Sequence, residues 1–174
     1  LTRHADVDRI AFTGGPETAR HVVRNSAENF AVTSLELGGK SPIVVFGDAD
    51  LDGAANGLIA GNFGASGQSC VAGSRGLIHR PILEDLVVRI SEICANIVVG
   101  DPLEVGTHLG PLCTKAQIDL IVATLAKAKE QGAKIRFGGA PLDQAGNFMA
   151  PTLVQCDSHD IETLNIELFG PIMS

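Results

Sequence analysis

The sequence predicts an α/β fold with a largely parallel sheet and flanking helices. Three observations carry this reading. Short β-prone runs alternate with segments of helical hydrophobic period, glycine or proline punctuates the changeovers, and the helices fall between successive strands, which is how parallel neighbours must be joined. The chain has 174 residues, 45% of them hydrophobic, so it can bury a sizeable core.

Arg9 to Thr13 is the first β-prone run. Gly14-Gly15 breaks it, and Pro16 stands where a first helical position tolerates a missing N–H, so a helix is predicted from Pro16 to about Glu28, ended by Asn29 and Phe30. Ala31 to Leu35 then reads as a buried strand, completing a β-α-β unit. After Gly38-Gly39, Pro42 to Phe46 reads as another strand, and Asp48 or Asp50 caps a helix running through Asn62.

A flexible polar loop, Ser66 to Ser74, follows that helix, and Arg75 to His79 resumes as a strand. Pro81 opens a helix with Leu86, Ile90, Ile93 and Ile97 on one face, expected to end at Gly100-Asp101-Pro102. Thr114 with Gln117 three residues on has capping-box spacing and announces a further helix, whose buried stripe is Ile118, Ile121, Val122 and Leu125. Ala133 to Phe137 and Met149 to Gln155 read as strands flanking a glycine-rich turn region.

Charge and composition exclude several classes of function. The 13 Lys plus Arg stand against 20 Asp plus Glu, a net charge of −7, and there is no Trp or Tyr to stack on bases, so nucleic acid is not an expected partner. Apolar runs are interrupted well before about 18 residues, so no membrane span is expected, and no secretion signal opens the chain. Cys70, Cys94, Cys113 and Cys156 lie far apart without a C-x-x-C pair and read as reduced thiols. The five histidines have no metal-ligand spacing, so no metal is predicted. A start at Leu1 and an end in an apolar run, Pro171 to Ser174, read as an internal piece of a longer protein.

The chemistry is concentrated in three short segments: Glu36-Leu37-Gly38-Gly39-Lys40, Gly67-Gln68-Ser69-Cys70, and Glu167-Leu168-Phe169-Gly170-Pro171. Cys70 in a polar, glycine-bearing loop is a candidate nucleophile; the alternative is a small buried hydrophobe, such as Cys94, Cys113 and Cys156 are expected to be. Glu36 ends a predicted strand and meets two glycines that allow close backbone approach. Partial desolvation there would raise its pKa toward the range of a general base, against the alternative of a solvated strand-end carboxylate. Phe12-Thr13-Gly14-Gly15 before a helix start suits an anion, although the G-x-G-x-x-G pattern is not met. Lys40 receives no role and reads as a solvated lysine.

The three segments, in this order and with 34 residues from Glu36 to Cys70 and 97 from Cys70 to Glu167, resemble the aldehyde dehydrogenase superfamily. The resemblance implies an aldehyde dehydrogenase-like fold in which residues 1–37 end a Rossmann-like coenzyme domain and residues 38–174 form most of a catalytic domain. It implies NAD or NADP as cofactor and an aldehyde as substrate, oxidised to the acid through a thiohemiacetal and thioester on Cys70, with Glu36 activating the hydrolytic water. Glu167 and Phe169 would hold the nicotinamide ribose and ring, and Gly14, Gly15 and Leu37 would also line the cofactor. Gly15 departs from the small polar residue usual in the family, and Ala19 from a common glycine.

A cytoplasmic homodimer or homotetramer is the implied parent, and the isolated chain is expected to lack turnover. A cofactor-free cysteine hydrolase or acyltransferase, and a noncatalytic fragment, are the alternatives.

Overall fold

The computed structural model describes residues 1–174, which divide into two compact units, Leu1–Gly39 and Lys40–Ser174. The first is a single β-α-β unit. Strand β1 (Arg9–Thr13) leads through Gly14-Gly15 into helix α1 (Pro16–Ser26) and on to strand β2 (Val32–Glu36), which pairs with β1 in parallel, Arg9 opposite Val32 and Thr13 opposite Glu36. Pro16 sits in the first turn of α1, and Ala19, Val22 and Ser26, at helical spacing, form its buried stripe. The helix ends two residues earlier than its sequence predicts, and Phe30 takes a left-handed φ of 57° in the return to β2.

In the second unit, β3 (Pro42–Val45) is followed by helix α2 (Leu51–Phe63), β4 (Arg75–Ile78), helix α3 (Leu83–Cys94), helix α4 (Lys115–Glu130), β5 (Lys134–Phe137), β6 (Thr152–Gln155) and β7 (Ile172–Met173). Strands β3 and β4 pair in parallel, as do β6 and β7, while β5 is antiparallel to β6. Two hydrogen bonds stitch these pairs together. The Gly76 N–H donates to the Ser174 carbonyl (2.8 Å), and the Ser174 N–H donates to the Ser74 carbonyl (3.0 Å), the pattern of a parallel ladder. The resulting strand order is β3-β4-β7-β6-β5.

Helices cover both faces of this sheet. On one side α4 buries Ile118, Ile121, Leu125 and Ala128 against Val154 and Ile172; on the other α2 and α3 bury Leu58, Phe63, Leu86 and Ile90 against Val45, Leu153 and Met173. The alternation of Val154 with Leu153 and of Ile172 with Met173 shows why these strands read as continuous apolar runs: both faces are dry.

Three details differ from the sequence reading. Helix α3 ends at Cys94 rather than near Gly100, because Asn96 and Ile97 N–H groups turn back to Ile93 and Cys94 carbonyls and the β-branched run Ile97-Val98-Val99 goes extended, Val99 bridging to Leu109. On α4 the stripe runs through Ile118, Ile121, Thr124, Leu125 and Ala128, while Val122 is 41% exposed, because at about 100° per residue it falls roughly a quarter turn beyond the centre of that stripe. The strand predicted from Met149 forms only at Thr152–Gln155, Met149 making an isolated bridge to Pro141. No helix is long and apolar enough to cross a membrane.

Asp50 is the N-cap of α2, its carboxylate accepting the Gly53 N–H at 2.9 Å. Asp50→Ala is expected to lower unfolding free energy by roughly 0.5–2 kcal/mol, with Asp50→Asn close to wild type, as read by urea denaturation.

Candidate active site

Helix α2 stops at Phe63, and the chain enters a turn no ordinary loop sequence would adopt. Ala65, Ser66 and Gly67 all have left-handed φ values, 51°, 56° and 71°. Such a run is unfavourable for Ala and Ser and persists only where its surroundings over-determine it. The surroundings here are specific hydrogen bonds. The Ser66 hydroxyl donates to the Gly110 carbonyl (3.1 Å). Gln68 is held at both ends of its amide: Nε2 donates to the Pro111 carbonyl (3.5 Å) and Oε1 accepts the Cys113 N–H (2.9 Å). The loop read as flexible is therefore a clamped turn, with Cys70 half-buried just beyond it.

The decisive contact is made by Gly67. A Cβ there would lie 2.1 Å from the Gly170 carbonyl oxygen and 2.6 Å from the Pro171 nitrogen, so the backbone of the cysteine loop rests directly on the Gly170-Pro171 peptide. Neighbouring groups hold the same approach. Asn62, fully buried, donates Nδ2–H to the Ile172 carbonyl (3.3 Å), and Gln117 of α4 donates Nε2–H to the Leu168 carbonyl. Leu168 and Gly170 are buried, whereas Phe169, at a left-handed φ of 44°, is 38% exposed, and Glu167 is half-buried. Cys70, Glu167 and Phe169 thus belong to adjoining loops of one compact unit.

On leaving the Cys70 loop the chain is tied back to α2: the Gly73 N–H donates to the Gly61 carbonyl (2.9 Å), and a Cβ on Gly73 would meet Ile43 Cδ1 at 2.3 Å. Sequence reasoning gave Asn62 and Ser66 no role beyond marking a helix end and a loop start, read Gln117 as a capping-box residue, and treated Gln68 only as part of a motif. Their partners are main-chain carbonyls and N–H groups, which leave no sequence signature. Gln117, for instance, stands at the capping-box position after Thr114. The Thr114 hydroxyl does accept the Gln117 N–H (3.2 Å), but the Gln117 side chain is spent on Leu168 instead.

Burial sorts the thiols. Desolvation pushes Cys94 up to about 11 and also raises Cys156, whose sulfur lies 3.5 Å from the Thr163 hydroxyl, which acts in the opposite direction. Cys113 is exposed beside the α4 cap, contrary to the packing role expected for it. Lys40 also differs from expectation: its Nζ is buried without a hydrogen-bond partner, and desolvation, with a smaller contribution from Arg75, lowers its pKa to about 8.

In the first unit, parallel pairing brings Glu36 and the Gly14-Gly15 turn to the same end of the β1-β2 pair. The Gly14 N–H donates to the Glu36 carbonyl at 3.1 Å, so it is already engaged, and Gly15, with open space at its Cβ position, is the N-cap of α1 without a side-chain cap. The N–H groups left open at this turn are accordingly those at the start of α1. Glu36 and Leu37 are exposed, not partly desolvated, because a two-stranded sheet backed by one helix covers little of its strand ends.

The whole chain, residues 1–174, matches the model of the aldehyde dehydrogenase family and belongs to that family. It is 49% identical over 175 residues to (Z)-2-((N-methylformamido)methylene)-5-hydroxybutyrolactone dehydrogenase of Acinetobacter baylyi, covering 100% of this chain and 36% of that protein. With chloroplastic betaine aldehyde dehydrogenase of Amaranthus hypochondriacus it shares 39% identity over 99% of this chain and 35% of that protein. The structure of an NAD+ complex of aldehyde dehydrogenase from Bacillus cereus superposes with a TM-score of 0.95 at 36% identity, over 99% of this chain and 35% of that one. The chain therefore has the aldehyde dehydrogenase-like α/β fold and spans about a third of the length of these relatives.

Gly67→Ala is expected to lose at least about 1–3 kcal/mol of stability, since the new methyl group meets rigid backbone at a left-handed φ. Chemical denaturation of the variant reads this directly. At pH 8 Cys94, with a thiolate population about 100-fold below that of an ordinary thiol, should be alkylated far more slowly than Cys70 or Cys113. Peptide mapping after limiting iodoacetamide checks the order, and Cys94 labelling should rise about tenfold per pH unit until pH nears 11.

Proposed function

We propose that the protein carrying this chain is an NAD(P)-dependent aldehyde dehydrogenase that converts an aldehyde to a carboxylic acid through an acyl-cysteine at Cys70. The observation that supports the reading is the backbone contact of Gly67 on Gly170-Pro171, which brings the loop leading to Cys70 against the segment that carries Glu167 and Phe169. Family membership and the NAD+ in the related Bacillus cereus structure support the cofactor class.

The residues present suit a dinucleotide. Gly15 and the uncapped first turn of α1 offer N–H donors and a helix dipole to phosphate. Glu167 offers a carboxylate to ribose hydroxyls, and the exposed Phe169 ring an apolar face to the nicotinamide. Leu37, exposed beyond β2, contributes a further apolar surface. When bound, the cofactor accepts hydride from the substrate carbon.

The protein's own part begins at Cys70. Its thiolate attacks the aldehyde carbonyl carbon, giving a thiohemiacetal; loss of hydride from that carbon leaves the thioester. Glu36 takes a proton from water as the water attacks the thioester carbonyl, and the Cys70 thiolate leaves as the acid is released. An exposed carboxylate at a strand end has the solvent access this step requires. The hydrolytic base favours a free acid as product over acyl transfer to another acceptor.

In the full-length protein, Cys70→Ser is expected to abolish aldehyde-dependent cofactor reduction. Glu36→Gln should slow steady turnover by roughly 10²- to 10⁴-fold while still releasing about one equivalent of reduced cofactor in the first turnover, with an acyl adduct on the Cys70 peptide by mass. Loss of the first turnover as well would assign Glu36 to thiol activation instead. Turnover by wild type without any nicotinamide cofactor would replace the proposal with a cysteine hydrolase.

A further inference from the structure

Four buried polar atoms of the second unit have no hydrogen-bond partner and lie outside the chemistry described above: Glu162 Oε2, which is ion-paired with Lys127, and Lys40 Nζ, Arg75 Nε and Ser174 Oγ. The last two are neighbours. The ladder bonds from Gly76 to Ser174 and from Ser174 to Ser74 set Ser174 beside Arg75, and paired residues of a parallel ladder direct their side chains to the same face. Pro42 of β3 lies opposite Arg75 on its other side, and Lys40 precedes Pro42 by two residues.

Arg75 is close enough for its charge to depress the Lys40 pKa, which desolvation lowers further to about 8; Cys156 and Glu167 are the other titratable groups that act on this ammonium, both in the opposite direction. The guanidinium cannot give up its proton to relieve the repulsion. Cys156 is held toward the neutral thiol by burial, so Glu167 is the anion that acts on the Lys40 ammonium. Three orphaned groups, all able to donate and two of them on cations, therefore stand at neighbouring positions of the sheet.

We infer that Lys40, Arg75 and Ser174 form a receptor for a single carboxylate. Its two oxygens would accept from Lys40 Nζ and Arg75 Nε, with the Ser174 hydroxyl as third donor. A carboxylate fits because its two oxygens accept from two cationic donors, the charge-assisted pairing that lysine and arginine make with it. The carboxylate has two sources of identical chemistry, a free carboxylic acid or an Asp or Glu side chain of a polypeptide.

The complete protein and its Lys40→Met and Lys40→Arg variants test this. Thermal unfolding is followed with acetate replacing chloride at constant ionic strength and pH 7, and carbodiimide coupling followed by peptide mapping reports acidic residues in contact with Lys40. A free-acid site predicts that acetate raises the melting temperature of wild type and Lys40→Arg, and that Lys40→Met loses most of the shift. A site filled by polypeptide predicts no acetate shift but an amide between Lys40 and an Asp or Glu other than Glu167. An equal acetate response in Lys40→Met and wild type overturns the inference. So does the absence of both signals, and so does coupling to Glu167 alone, which would make Glu167 the sole partner.

Discussion

The peptide joining Gly170 to Pro171 lies against Gly67 with no room for a side chain between them, and much of the second unit is arranged to permit that approach. Residues about a hundred positions apart in sequence meet there because the sheet inserts the chain's last strand between β4 and β6, with Ser174 bonded beside Arg75. Once β7 is in place, the loop before it and the loop before β4 leave the sheet as neighbours. Backbone-to-backbone contact then tolerates only glycine, and the left-handed turn at Ala65 and Ser66 is the local cost of aiming residue 67 correctly.

That contact is rigidified by side-chain amides. Gln68 binds the 111–113 segment, Gln117 reaches from α4 to the Leu168 carbonyl, and Asn62 reaches from α2 to the Ile172 carbonyl. Each converts an otherwise unsatisfied main-chain group into a tether, and Gln117 and Asn62 come from helices on opposite faces of the sheet. A half-buried cysteine on such a loop differs from the other thiols in environment. Cys94 and Cys156 are held neutral by the cores they pack against, while Cys70 is carried by polar main chain.

The first unit follows the general logic of open parallel sheets, in which loops at the carboxyl ends of strands face ligands. Its register puts Thr13 opposite Glu36, and the Gly14 N–H spent on the Glu36 carbonyl fixes the two turns to each other. The glycine pair thus has divided work: Gly14 fastens the turn and Gly15 starts the helix.

The sequence by itself determined the element types, the parallel character of the sheet and the family. Hydrophobic period, the Asp50 and Thr114 caps and the Pro16 start are local signals, and the three motif strings are contiguous, so each could be read without a partner. Tertiary structure decided where α3 stops, why Val122 stays in water, that Cys113 is exposed, and that the Lys40 ammonium is buried rather than solvated. It also decided that Gln68 and Gln117 hold the cysteine loop and its neighbour in place. These outcomes depend on which main-chain groups a side chain meets after the sheet has formed, and main-chain groups are the same at every residue. A sequence records who can donate or accept; only the strand order records to whom.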